Sequence, residues 1–122
     1  MDYDLVMKSD SSSSDWSRAA MLLLLLHHLS RAPNHGYGLM DLLRAQGFDV
    51  KGATVYPQLS KLQGEGLIRS EWHAPESGPA RKVMTITPAG EARLSELLQH
   101  WASFQDRLDA ALGRNITEGE AR

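Results

Sequence analysis

The stretch that most constrains the fold covers residues 51–82 and reads KGATVYPQLSKLQGEGLIRSEWHAPESGPARK. It predicts, in order, a short helix, a tight turn, a strand, a loop with glycine and proline near its tip, and a second strand with a basic start. This order is typical of the second half of a winged helix-turn-helix. In that fold a helix and a hairpin project from one compact body toward the same side.

The helix of this stretch is predicted over Val55 to Glu65. Thr54 is the expected N-cap, and Pro57 then falls in the first turn, where a missing N–H is tolerated. The inward-facing positions share helical spacing and are Val55, Leu59 and Leu62. The hairpin strands are predicted at Leu67–Trp72 and Lys82–Thr87.

Three further helices are predicted outside this stretch. An apolar helix runs from Trp16 to about Ser30 with Asp15 as its cap, and a shorter one runs from Leu39 to about Ala45. The last helix starts after Thr87, an expected N-cap, and ends near Leu112. Its apolar positions form a heptad seam, which consists of Leu94, Leu97, Trp101, Phe104, Leu108 and Ala111.

Composition excludes several classes of protein. There is no cysteine, which removes disulfides, thiolate catalysis and cysteine-based metal sites. The run Met21–Leu26 is too short to cross a bilayer, and the residues before it are acidic and serine-rich, unlike a signal peptide. We therefore expect a cytoplasmic protein with no membrane partner.

The sequence also lacks recognisable motifs for catalysis or metal binding. The five histidines (27, 28, 35, 73 and 100) lack metal-ligand spacing and are expected to be core or surface residues. No nucleophile–base set, phosphate loop or carboxylate pair stands out. The sequence thus predicts no catalytic site, no metal and no cofactor.

The net charge of −2 conceals an uneven distribution. Residues 1–50 hold four Lys/Arg and six Asp, a balance of −2, and residues 83–122 hold four Arg and six Asp/Glu, also −2. Residues 51–82 hold five Lys/Arg and three Glu, a balance of +2. The positive excess coincides with the predicted helix and hairpin, which is consistent with phosphate binding.

These motifs together resemble those of one family. His35-Gly36-Tyr37-Gly38 before a helix, and GATVYPQL at 52–59, are similar to the Y-G-Y and G-T-L-Y-P-x-L signatures of the PadR family of transcriptional regulators. The segments GPARK at 78–82 and ITPAG at 86–90 resemble the family's following segments in order and spacing. The resemblance covers about residues 17–112, and Val55 departs from it where leucine is usual.

The resemblance implies a dimer whose first and last helices form the interface. The expected fold is mostly α with a small β-hairpin, a winged helix-turn-helix plus a long C-terminal helix. The DNA-binding domain is placed at residues 15–87, and the dimerisation helix, which packs with helix 16–30, at residues 88–113. Residues 1–14 are expected to form a flexible leader and residues 114–122 a flexible tail.

The implied ligand is double-stranded DNA with a palindromic operator. We call the predicted hairpin, residues 67–87, the wing. The expected DNA-contacting residues lie at the third helix and on the wing and are Lys51, Thr54, Tyr56, Pro57, Lys61, Arg81 and Lys82. The lysines and Arg81 would neutralise phosphates, and Tyr56 would touch a phosphate or a thymine methyl. The plainer alternatives are a solvated helix-face lysine for Lys61 and a packing role for Tyr56.

A planar aromatic effector is a second expectation from the resemblance. Trp101 lies mid-seam, where in a symmetric dimer it would approach its symmetry mate, and two indoles can hold a flat ligand between them. The residues assigned to an effector pocket or a dimer core are Trp16, Trp101 and Phe104. Plain packing in the dimer core is the favoured alternative.

The function expected from the sequence is that of a dimeric, sequence-specific DNA-binding repressor. Two alternatives stay open. One is a winged-helix module that binds proteins without a DNA role, since a fold does not fix a function. The other is a MarR-type regulator, which differs mainly in the topology of its dimer helices.

Overall fold

The computed structural model describes residues 2–114, with side chains from residue 16 onward. The elements in chain order are α1 (Asp2–Arg31), β1 (Asn34–His35), α2 (Gly36–Ala45), α3 (Gly52–Gly64), β2 (Ile68–His73), β3 (Arg81–Ile86) and α4 (Pro88–Ala111). The predicted class is confirmed: the molecule is mostly helical with a small antiparallel sheet. The predicted tail lies outside the described residues except for Arg114.

The core is built where α1, α2 and α3 meet the sheet. Val55, Leu59 and Leu62 turn inward from α3 as predicted, since they lie on one stripe of the helix. The other buried apolar residues come from α1, α2, α4, both long strands and, for Val50, the connection between α2 and α3: Met21, Leu25, Leu26, Leu29, Leu39, Met40, Leu43, Val50, Ile68, Met84 and Leu94. Nε2 of the buried His28 lies 2.9 Å from Oε1 of Gln46 and ties α1 to the end of α2.

Helix α1 begins earlier than the sequence predicted. Its backbone is helical from Asp2, so the expected start at Trp16 is wrong, and Asp15 lies inside the helix and is not its N-cap. No glycine or proline interrupts residues 2–31, and serine or aspartate costs a helix at most about 0.7 kcal/mol per residue relative to alanine. The polar stretch therefore continues the leucine-rich helix toward the N-terminus. The mobility expected of residues 1–14 stays a prediction.

Helix α3 also begins earlier than predicted. Its N-cap is Lys51, whose backbone is extended (φ −129°, ψ 153°), and the Lys51 carbonyl accepts from the N–H groups of Thr54 at 2.9 Å and Val55 at 3.0 Å. Thr54 as N-cap is therefore wrong, because its own N–H already belongs to the first turn. Pro57 consequently lies inside the helix and not in its first turn.

The sheet has one strand more than the predicted hairpin. Its order is β1-β3-β2, and the two-residue β1 pairs with Val83 and Met84 of β3. In the hairpin, Ile68 lies opposite Ile86 and Trp72 lies opposite Lys82. Because side chains alternate across a strand, Ile68, Ser70 and Trp72 share one face of β2. On that face, Ile68 packs against the core, whereas Trp72, nearer the hairpin tip, is exposed.

Helix α4 begins at a threonine that serves two neighbours. Thr87 is the N-cap, as predicted: its Oγ1 accepts from the N–H of Gly90 at 3.0 Å and donates to the carbonyl of Gly66 at 2.7 Å. The N–H of Thr87 also donates to the carbonyl of Leu67 at 3.0 Å. The start of α4 is thus fixed to the turn that follows α3. Within the described residues, none of the helices has the length and apolar run that crossing a bilayer requires.

Candidate nucleic-acid interface

Tyr56 lies on the flank of α3 that faces the start of α2, and two glycines let its ring approach the backbone. A Cβ atom at Gly36 would come within 2.9 Å of both Cζ and Oη of Tyr56, and one at Gly52 would lie 3.3 Å from Cδ2 and Cε2. Contacts this short leave no room for a side chain at Gly36 unless the ring moves. The lack of side chains at Gly36 and Gly52 therefore lets the ring lie close to the start of α2, while 47% of the residue remains exposed.

An open groove of about 600 Å³ connects Tyr56 with the wing. Tyr56, Arg81 and Lys82, three of the residues predicted to contact DNA, border it together. The remaining lining residues come from the β1–α2 junction, α2 and the hairpin loop, and are His35, Gly36, Tyr37, Asp41 and Pro79. The groove brings two cations and a phenol hydroxyl together on the exposed side of α3, which suits a polyanionic backbone.

His35 links the two walls of this groove. Its Nδ1 accepts from the N–H of Gly38 at 3.1 Å and so caps α2. Its Nε2 lies 3.2 Å from Nη1 of Arg81 on β3. The N–H of His35 donates to Oδ1 of Asn34 at 2.8 Å, which fixes the residue in an extended conformation before the helix. The two ring nitrogens of His35 therefore face the start of α2 on one side and the loop end of β3 on the other.

The other predicted residues of α3 lie away from this groove. Lys51 and Thr54 border a separate cavity of about 120 Å³ between α1 and the start of α3, together with Arg18 and Asp49. Pro57 and Lys61 are exposed on the outer surface of α3, opposite the buried stripe. The structure thus gathers Tyr56, Arg81 and Lys82, leaves Pro57 and Lys61 on the adjoining helix surface, and separates Lys51 and Thr54.

Sequence reasoning missed three side chains of the groove. His35 and Tyr37 are part of the HGYG motif, which indicated the start of a helix but not its position beside the wing. Asp41 lies one turn further along α2, and nothing in its spacing to basic residues announced it. Their approach to Arg81 depends on β1 pairing with β3, a tertiary contact between residues far apart in the chain.

The heptad seam of α4 divides into a covered and an open half. Leu94 is buried and Leu97 is partly buried against the core. Beyond them Trp101, Phe104 and Leu108 are exposed in the described chain. The rings of Trp101 and Phe104 are neighbours, with centroids 6.4 Å apart. Trp16 of α1 is 69% exposed.

Comparisons with known proteins agree with this architecture. The family model described as "Transcriptional regulator PadR-like family" matches residues 25–96. The Transcriptional regulator Rv3488 of Mycobacterium tuberculosis is 40% identical over 82 residues, which cover 67% of this chain and 76% of that protein.

Solved structures extend the likeness to the whole fold. A PadR family transcriptional regulator from Eggerthella lenta matches with a TM-score of 0.80 at 30% identity, covering 94% of this chain and 99% of that chain. A PadR-like transcriptional regulator from Bacillus cereus matches with a TM-score of 0.73 at 29% identity, covering 84% and 100% of the two chains. The family match includes α2, α3 and the hairpin, which build the groove around Tyr56. The chain therefore belongs to the PadR-like family of transcriptional regulators.

Proposed function

We propose that the protein is a homodimeric repressor that binds double-stranded DNA at a palindromic operator. The observation that carries this proposal is the groove in which Tyr56 of α3 meets Arg81 and Lys82 of the wing. Exposed Lys61 and Pro57 extend the same surface along α3. A helix with a cationic hairpin beside it can place side chains in the major groove while the hairpin holds the flanking phosphates.

Electrostatics favour duplex DNA over a protein as the ligand of this surface. Phosphates supply one negative charge for about every 1.7 Å of duplex axis, so each cation that meets a phosphate releases a counterion and adds to affinity. Asp41 is the acidic side chain on the groove wall, and Arg81 and Lys82 outnumber it, so the groove keeps an excess of positive charge.

A homodimer is supported by the open half of α4. Trp101, Phe104 and Leu108 recur at heptad spacing and remain exposed in a single chain. Burying these apolar side chains against a second copy would stabilise the dimer. A second copy packing on α4, and on α1 at Trp16, would cover them. Two copies would present two groove surfaces, and an operator with two half-sites would follow from their symmetry.

The test is DNA binding as a function of salt, with a charge-neutralised variant. Operator duplexes are first selected from a random-sequence pool by the wild-type protein. The triple variant Lys61→Gln/Arg81→Gln/Lys82→Gln should then bind the selected duplex at least about a hundredfold more weakly, with a flatter plot of log affinity against log salt. Arg93→Gln, a change on α4, is the matched control and should leave both quantities unchanged.

The alternative of a protein-interaction module predicts a different result. In that case the wild-type protein would select no duplex, and neutralising the three cations would leave binding to a protein partner intact. A salt-independent affinity would equally contradict the proposal. We further propose that the protein represses transcription and acts in the cytoplasm, two properties that a DNA-binding assay does not measure.

An aromatic effector is the finer part of the proposed function and concerns Trp101, Phe104 and Trp16. These residues do not border the groove at Tyr56. We propose that the ligand site forms between two copies, where Trp101 of each would approach its symmetry mate. Titrating tryptophan emission with a panel of planar aromatic compounds tests it: saturable quenching supports an effector pocket, and its absence supports plain packing of these rings in the dimer core.

A further inference from the structure

The wing carries a large apolar side chain that the fold does not use. Trp72 of β2 is 71% exposed, whereas Ile68, four residues earlier on the same face of the strand, is 1% exposed. Tryptophan is highly buried on average in folded proteins. Because most of Trp72 is in water, the indole adds little to the stability of the chain.

The position of Trp72 associates it with the proposed DNA surface. It lies directly opposite Lys82 in the β2–β3 ladder, and side chains at opposed positions have Cβ atoms about 5 Å apart. Lys82 borders the groove that contains Tyr56. On β2, Ser70 shares the face of Trp72, and its hydroxyl donates to Oε1 of Gln63 on α3 at 3.0 Å. Trp72 thus leaves the sheet on the face that turns toward α3.

We propose that Trp72 is a DNA-contacting residue that packs its indole against the deoxyribose beside a phosphate held by Lys82 and donates its Nε1–H to the sugar–phosphate backbone. This inference rests on the proposed DNA-binding function. The apolar ring face suits the carbon face of the sugar, and the indole N–H is a donor without acceptor capacity, as a phosphate oxygen requires. The lysine on the facing strand supplies the charge complementarity.

A backbone contact makes a specific prediction about sequence dependence. Sugars and phosphates are the same at every base step, so the contact adds affinity without discriminating between sequences. Trp72→Ala should therefore weaken binding to the selected operator and to a random-sequence duplex by the same factor, about tenfold, the size expected for one hydrogen bond to a charged group. The slope of log affinity against log salt should not change, since the variant keeps every cation, whereas Lys82→Gln should flatten it.

The experiment measures the anisotropy of labelled selected and random duplexes with the wild-type chain, Trp72→Ala, Trp72→Phe and Gln99→Ala. Trp72→Phe keeps an aromatic ring but loses the N–H, and we expect its DNA affinity to lie between those of wild type and Trp72→Ala. Gln99 is exposed on α4, outside the wing and the groove at Tyr56, so Gln99→Ala is the control and is expected to bind as wild type. DNA should quench tryptophan emission in the wild type, and Trp72→Phe should remove most of that quenching.

The outcomes separate this inference from the proposed function. Wild type that binds no duplex contradicts the proposed function itself. Wild type that binds while Trp72→Ala binds equally well, or equal quenching in Trp72→Phe, overturns the role of Trp72 alone. A loss confined to the selected operator overturns the backbone assignment in favour of base contact. A change in sedimenting mass in Trp72→Ala overturns it in favour of contact between copies.

Discussion

The imidazole of His35 lies between two N–H donors, one of which belongs to Arg81. Nε2 of His35 is 3.2 Å from Nη1 of Arg81, while Nδ1 accepts from the N–H of Gly38 at 3.1 Å. A neutral imidazole can accept only one hydrogen bond, because its other nitrogen carries a hydrogen. The cap of α2 and the contact with Arg81 therefore compete for a single lone pair.

Arg81→Ala should weaken DNA binding without destabilising the fold. We expect the free energy of unfolding to stay within about 0.5 kcal/mol of wild type, because removing the guanidinium leaves His35 free to serve the cap alone. The salt slope of operator binding should become flatter by about 0.9 for each phosphate that the guanidinium neutralises in the wild type. Urea unfolding and salt-dependent anisotropy measure the two quantities.

His35 variants provide the control for this relationship. His35→Ala removes the cap of α2 and should cost about 1 kcal/mol, whereas His35→Asn supplies another good capping oxygen and should cost much less. If Arg81→Ala proved clearly destabilising, the lone pair would belong to Arg81 and the cap would be the weaker interaction.

Gly36→Ala should weaken DNA binding by displacing the ring of Tyr56. The new Cβ would collide with the ring of Tyr56, which is free to swing toward solvent, so we expect the ring to leave its position and the helix to remain folded. Affinity for the selected operator should fall about as far as in Tyr56→Ala. In the Tyr56→Ala background, Gly36→Ala should have little further effect, and a double-mutant cycle measures this coupling.

Gly64→Ala is the matched control for that cycle. A Cβ at Gly64 meets nothing within 4 Å, and the residue lies at the end of α3. We expect wild-type DNA affinity and an unfolding free energy raised by up to about 1 kcal/mol. Equal losses of affinity at the two glycines would contradict a specific role for the Tyr56 contact.

Phe104→Glu should dissociate the proposed dimer. It places a carboxylate within the exposed apolar stripe of α4, where burial by a second copy would leave the charge without water. Sedimentation velocity should show a monomer where wild type sediments as a dimer. Gln99→Glu puts the same charge on the opposite side of α4 and should remain dimeric. A wild-type monomer at every concentration would rule out the stripe as an interface.

Thr87→Ala should destabilise the fold more than an exposed cap usually does. It removes the acceptor for Gly90 and the donor to Gly66, so we expect a loss of about 2 kcal/mol in the free energy of unfolding. Thr87→Ser keeps the hydroxyl and should retain most of that stability. Chemical denaturation compares the two variants, and similar losses in both would show that the hydroxyl bonds contribute little.

The elements that sequence predicts well are those with a repeating pattern or a direct chemical signal. The stripe of Val55, Leu59 and Leu62 identified the buried face of α3, and Thr87 with Pro88 identified the start of α4. Both signals are local, so no knowledge of the rest of the chain was needed.

The features that sequence missed depend on contacts between distant residues. The strand at Asn34–His35 is too short to show a period of two, and it exists because β3 lies beside it. Thr54 has a good capping side chain and was the predicted N-cap, but the N-cap lies three residues earlier, at Lys51, which makes no side-chain cap bond and so gives no local signal. The groove inherits this difficulty, since its walls come from three separate segments.

The double attachment of Thr87 has a mechanical consequence. With both its hydroxyl and its N–H bonded to the turn after α3, the start of α4 is held at a fixed position relative to the end of α3. In the proposed dimer, a rotation of α4 at its far end, where the aromatic residues lie, would therefore also move α3. The distance between the two copies of α3, and with it the fit to two half-sites, would then depend on how the α4 helices pack.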